Sequence, residues 1–145
     1  PAAISRKIAL AQPVDEIEVW GDGEQTRSFM YIDDCVEGIY RLMRSDYHQP
    51  LNLGTDRLVT INELVDIIAG IAGKTIAKRH DLTKPQGVRG RNSDNRRLRE
   101  VLGWEPSITL EDGLRRTYEW IEDQVQQTRP ARPVPVVSEL AGVAD

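Results

Sequence analysis

Apolar positions recur at helical spacing along much of the chain and alternate with polar ones in only a few short stretches. Residues 2–11 are rich in helix formers and stop before Pro13. Glu16-Ile17-Glu18-Val19-Trp20 alternates polar and apolar, the period of a half-buried strand. Gly21-Asp22-Gly23 is a turn signal, and residues 27–32 read as a second strand. Asp33 is placed to cap a helix over 34–45 that carries Val36, Ile39, Tyr40 and Met43 on one face. Leu51-Asn52-Leu53-Gly54 reads as a very short strand ending in glycine. Thr60 and Glu63 have capping-box spacing before a helix whose stripe is Leu64, Ile67, Ile68 and Ile71, closed near Gly73. Thr75–Arg79 is expected to be a strand. Asp94 is positioned to cap a helix with Leu98, Val101 and Leu102 facing inward, closed by Gly103. Thr109 to Asp112 opens a last helix with Leu110, Leu114, Tyr118, Ile121 and Val125 on one face. From about residue 127 the periodicity stops, and Pro130, Pro133 and Pro135 predict a disordered or loosely docked tail.

Composition narrows the class. At 145 residues the chain can bury one real core, and 39% apolar with 29% charged residues is ordinary for a globular domain. A net charge of −4 argues against a nucleic-acid partner, and no apolar run reaches membrane-spanning length. Cys35 is the single cysteine, so no intrachain disulfide forms, which fits a reducing cytoplasmic location. It reads as a small buried hydrophobe rather than a reactive thiol. His48 and His80 lie far apart and lack partners at metal-ligand spacing. Asp33 and Asp34 read as a cap and a dipole partner rather than an acid/base pair. The chain begins with Pro1, not Met, in a segment that already reads as helix, which suggests a piece of something longer.

One stretch carries candidate chemistry: Gly87-Val88-Arg89-Gly90-Arg91-Asn92-Ser93-Asp94-Asn95. Arginine forks match phosphate oxygens two at a time, and glycine lets a ligand come close to the backbone, so the loop is a candidate anion grip. A solvated basic turn is the competing reading. No Gly-x-Gly-x-x-Gly or Gly-x-x-x-x-Gly-Lys-Ser/Thr loop occurs, so the chain shows no dinucleotide or P-loop phosphate site of its own. The remaining candidates are Lys7, the Gln25-Thr26-Arg27 step and the Arg89/Arg91 pair.

The run from Trp20-Gly21-Asp22-Gly23 to Ser28-Phe29, then Ile32-Asp33-Asp34-Cys35-Val36-Glu37-Gly38, Leu51-Asn52-Leu53-Gly54 and Leu102-Gly103-Trp104-Glu105-Pro106 resemble the extended short-chain dehydrogenase/reductases, the NAD-dependent sugar-nucleotide epimerases and dehydratases. The resemblance covers residues 1 to about 125. The arginine loop, with Pro1-Ala2-Ala3, Arg6-Lys7 and Gln25-Thr26-Arg27-Ser28, is similar to the branch that epimerises GDP-mannose. The resemblance implies an α/β fold: the C-terminal substrate-binding part of an extended Rossmann-type enzyme over 1–126, with mixed helices and short strands, then a flexible proline-rich tail over 127–145. The helix from Asp34 and the Leu51–Gly54 strand would join a doubly wound sheet in the intact enzyme, leaving apolar faces exposed here.

Residue by residue, the resemblance implies that Lys7, Gln25, Thr26, Arg27 and Arg91 contact a nucleotide-sugar substrate, with Arg27 and Arg91 expected to grip its diphosphate together from two loops distant in sequence, while Arg89 and Asp94 shape the loop. The tail serine expected in the family has no match, and nothing is assigned to Ser138. NAD, the Tyr-x-x-x-Lys pair and the proton-transfer residues would belong to an N-terminal half of the intact enzyme, a homodimer. This chain would then be inactive alone. Two alternatives stay open: another family member acting on a UDP- or dTDP-sugar, and a non-catalytic nucleotide-binding or assembly module.

Overall fold

A computed structural model describes residues 1–128. Helix α1 (Ala2–Leu10) leads into strand β1 (Val14–Trp20), the two-residue strand β2 (Thr26–Arg27) and helix α2 (Ile32–Arg44). Strand β3 (Val59–Thr60) then runs directly into α3 (Ile61–Ala72), followed by β4 (Thr75–Asp81), β5 (Gly90–Arg91), α4 (Arg96–Leu102) and α5 (Leu110–Thr128). Two small sheets result. β1 and β4 pair in parallel from Val14↔Thr75 to Trp20↔Asp81, and β2 lies between an antiparallel β3 and a parallel β5.

The core forms where α1, α3 and α5 pack together against the β1–β4 pair. Ile8, Ile17, Val19, Leu64, Val65, Ile68, Leu114, Tyr118 and Val125 are buried there. α3 starts on the expected capping box: the Thr60 hydroxyl accepts from Glu63 N–H at 3.0 Å while the Glu63 carboxylate accepts from Thr60 N–H at 2.7 Å. Gly73 closes it in the left-handed region. Lys74 reaches back and donates to the terminal carbonyls of α1, Ile8 O at 2.7 Å and Ala11 O at 2.9 Å, a cation at the negative end of a helix.

The structure corrects several expectations. The strand over 27–32 shrinks to Thr26–Arg27, because β5 is only two residues long and Phe29 turns to pack against the core. Leu51–Gly54 pairs with no strand among the described residues; Asn95 instead holds Gly54 O at 2.9 Å. Asp33 is not a cap, since α2 begins two residues before the expected start, at Ile32, with Tyr31 at the N-cap. Asp33 reaches Arg116 at 3.2 Å, while Asp34, 6% exposed, accepts from the backbone of Ser107 and Ile108 at 3.0 and 2.8 Å. Asn95 occupies the N-cap of α4, but Asp94 still serves the helix start: its Oδ1 accepts from Arg96 N–H at 3.1 Å while the carboxylate grips the Arg96 guanidinium at 2.6 Å, and the two together hold it down to about 2. Cys35 is half-buried. α5 runs to Thr128, past the expected boundary at 126, and the rest of the proline-rich tail lies outside the described residues.

One helical face is left open. Ile32, Val36, Ile39, Tyr40 and Met43 line α2 at helical spacing and are 48–79% exposed. The opposite face packs so closely that a Cβ on Gly38 would stand 2.6 Å from Leu53 and 2.9 Å from Trp104.

Candidate functional site

Two loops meet at the end of the β1–β4 pair, and glycine makes the meeting possible. Gly21 and Gly23 hold φ +75° and +74°. A Cβ on Gly21 would fall 2.3 Å from Gln86, and one on Gly23 would fall 2.1 Å from Asn62 Oδ1. Asn62, in the first turn of α3, fills that space: its N–H donates to Gly23 O at 3.0 Å, and its amide donates to Asp22 O at 3.1 Å and Glu24 Oε1 at 2.7 Å. Its Oδ1 lies 2.8 Å from His80 Nε2.

The Asp22 carboxylate reaches across to Arg89 at 2.8 Å. The guanidinium holds Asp22 below the usual carboxylate range, and the carboxylate raises Arg89 in turn. Thr26 N–H then donates to Arg89 O at 2.8 Å, and Ser28 N–H to Arg91 O at 3.1 Å.

These contacts set the register Thr26↔Gly90 and Arg27↔Arg91. Register partners in a parallel ladder leave on the same face, so the two arginines stand side by side although 64 positions separate them in sequence (91 − 27). Arg27 is half-buried, donates to Thr26 O at 2.7 Å, and lies 3.3 Å from where a Cβ on Gly87 would stand. Arg91 is exposed, and its side chain forms no hydrogen bond or ion pair among the described residues. It borders a cavity of about 330 Å³ with Ser28, Met30, Asn52 and Ser93.

The structure sets Arg27 and Arg91, expected to act together, in ladder register, and ties Arg89, expected to shape the loop, to Asp22. Gln25 is 7% exposed and braces the turn by donating to Trp20 O at 3.2 Å, while its buried Oε1 has no protein partner. Lys7 sits apart on α1, donates to Glu18 O at 2.7 Å, and borders a different cavity with Leu10, Asp15 and Glu18. Sequence reasoning missed Asn62 and the Asp22–Arg89 link. Glycines on both sides of an Asp mark such an anchor, but nothing local to residue 62 marks its partner.

The arginines of a further cavity are already paired. This cavity, of about 390 Å³ beside α4, includes Arg57 and Arg99, and Glu111 holds the first at 2.7 Å and Glu105 the second at 2.7 Å. The space beside Gly21, Gly23 and Gly54 is filled by Gln86, Asn62 and Ser93, and the Gly21–Gly23 turn leads to a strand rather than a helix, so these glycines do not form the strand–turn–helix cradle of a dinucleotide loop.

Residues 2–117 match the sequence profile of the family described as GDP-mannose 4,6 dehydratase. GDP-mannose 3,5-epimerase 1 of Oryza sativa subsp. indica is 47% identical over 129 residues, covering 89% of this chain and 33% of that protein. GDP-mannose 3,5-epimerase of Arabidopsis thaliana is 46% identical over the same span and shares. The structure of UDP-glucuronic acid 4-epimerase from Bacillus cereus, in complex with UDP-glucuronic acid and NAD, superposes with a TM-score of 0.72 at 25% identity, over 83% of this chain and 38% of that one. The chain thus spans about a third of the length of the curated relatives it matches. On the family match across most of its length, the chain belongs to the GDP-mannose 4,6 dehydratase family, within the extended short-chain dehydrogenase/reductases.

Proposed function

We propose that this chain is the nucleotide-sugar-binding part, residues 1–126, of an NAD-dependent epimerase that converts GDP-mannose to GDP-L-galactose by inversion at C3 and C5. The observation that carries this reading is the 47% and 46% identity to two GDP-mannose 3,5-epimerases across nearly all of the chain, the arginine loop included. The side-by-side register of Arg27 and Arg91 supports the same reading chemically. A diphosphate presents oxygens on two phosphorus centres, and two planar forks from neighbouring strands can bind both where one cannot.

In this reading Arg27 and Arg91 hold the diphosphate, Thr26 lines it, Gln25 braces the turn beneath, and Lys7 contacts the ligand from α1. Holding the diphosphate fixes where the hexose lies relative to the rest of the enzyme, so this chain orients and other residues transfer protons. NAD, when bound by the remaining two thirds of the enzyme, supplies reversible oxidation of the sugar; no step of that chemistry is assigned to residues of this chain. The open apolar face of α2 supports the same division, because the part of the enzyme that would cover it lies outside this third of the family length. The full-length enzyme is taken as a cytoplasmic homodimer on the family resemblance and the single cysteine.

A substrate panel on the full-length protein tests the proposal. With NAD present, GDP-mannose should give GDP-L-galactose, while UDP-glucose, UDP-glucuronic acid and dTDP-glucose should be returned unchanged. Turnover of a UDP- or dTDP-sugar in preference to GDP-mannose would replace this reading with another member of the family.

A further inference from the structure

We infer that Asn62 is a positioning residue for the nucleotide site, holding the Arg27/Arg91 register from the first turn of α3 without itself touching ligand. The inference rests on the proposed function above. α3 does not depend on Asn62 for its own start, because the Thr60–Glu63 capping box closes it. The polar groups of Asn62 are directed elsewhere. Its N–H and amide take Gly23 O, Asp22 O and Glu24 Oε1, so three consecutive turn residues hang on one side chain and its backbone. The fit leaves no slack, since a Cβ on Gly23 would overlap Asn62 at 2.1 Å.

From that turn a linkage runs on to the arginine ladder, alongside the direct β2–β3 pairing at Thr26↔Thr60. Asp22 holds Arg89, Arg89 O holds Thr26 N–H, and the ladder beginning there sets Arg27 beside Arg91. A shift of the turn therefore moves the strand pair on which both arginines stand, and the geometry of two forks on one diphosphate is sensitive to displacements of about 1 Å. Asn62 acts on binding through position, so its removal should raise the dissociation constant and leave the chemical step alone.

The test uses the full-length enzyme with GDP-mannose turnover and GDP calorimetry. Asn62→Ala should raise KM and the Kd for GDP about tenfold with kcat within about twofold. Thr60→Ala, which removes the cap of the same helix, should lower the melting temperature and leave Kd unchanged. Arg89→Ala alters an exposed side chain on the same linkage, so it keeps the inference testable even if Asn62→Ala folds poorly. It should weaken GDP binding by a similar factor, and the double variant should lose less than the product of the two. Unchanged Kd in Asn62→Ala and Arg89→Ala beside a weakened Arg91→Ala would overturn the inference alone. Unchanged Kd in all three would overturn the arginine site as well. Equal rises in Thr60→Ala and Asn62→Ala would show loss of helix stability rather than position, and would also overturn it.

Discussion

Gly23→Ala should destabilise the chain far more than Gly73→Ala, although both glycines have positive φ. Gly73 sits at φ +64° with nothing within 4 Å of a built Cβ, so alanine there meets only the left-handed backbone penalty, about 1–2 kcal/mol. Reduced freedom of the unfolded chain returns about 0.4–1 kcal/mol of that, which leaves roughly 1 kcal/mol. Gly23, at φ +74°, incurs the same backbone term, and its Cβ also lands 2.1 Å from Asn62 Oδ1 and 2.6 Å from Nδ2. Asn62 must leave, with loss of its bonds to Asp22 O and Glu24, at about 1 kcal/mol each. The expected total is about 3 kcal/mol. Equilibrium urea unfolding of both variants of the 145-residue chain should show this as a lower midpoint at unchanged slope, with Gly23→Ala about 2 kcal/mol below Gly73→Ala. Midpoints equivalent to within about 0.5 kcal/mol would refute the claim that Asn62 is wedged against this turn.

Asp34→Ala should lower stability by about 2–4 kcal/mol, because it strips the acceptor from two backbone N–H groups, while Asp33→Ala, on an exposed ion pair, should change it by no more than about 0.5 kcal/mol; urea midpoints distinguish them. Burial and then the bond to Glu122 push Tyr118 up to about 12, above the roughly 10 of an unfolded tyrosine, so the folded state keeps the proton longer. Stability should therefore be flat through this group below about pH 10 and fall between there and about 12, and Tyr118→Phe should flatten that slope in thermal scans. Val36→Glu with Met43→Glu should reduce self-association of the 145-residue chain in sedimentation, because both stand on the open face of α2; unchanged association would show that the stripe is not the sticky surface.

Local signals carried the elements that local physics determines. The Thr60/Glu63 box, the Gly73 and Gly103 closures and the stripe from Leu110 to Val125 all stand as read, because caps and periodicity act within a few residues. The strand failures have one cause: a strand exists only with a neighbour, and residues 28–32 and 51–54 carry strand-like sequence without a ladder among the described residues. Asp33 looks like a cap by spacing, yet Arg116 claims it and the neighbouring Asp34 takes the buried anchoring role, while Asp94 serves the start of α4 from one residue outside the N-cap. Arg27 and Arg91 were legible as a pair through the family resemblance, whereas the parallel ladder that sets them in register and the tie of Arg89 to Asp22 depend on contacts more than sixty positions apart.

The most direct measurement is calorimetric titration of GDP-mannose into full-length enzyme carrying Arg27→Ala, Arg91→Ala or Arg91→Lys. Each alanine variant should weaken binding by about 1.5–3 kcal/mol, the scale of charged hydrogen bonds. Lysine at 91 should recover only part of this, since a point charge does not replace a planar fork. Arg91→Ala should leave the ligand-free melting temperature unchanged, because that side chain has no partner among the described residues. Wild-type affinity for GDP-mannose in both alanine variants would contradict the account: the register pair would then not be the diphosphate grip.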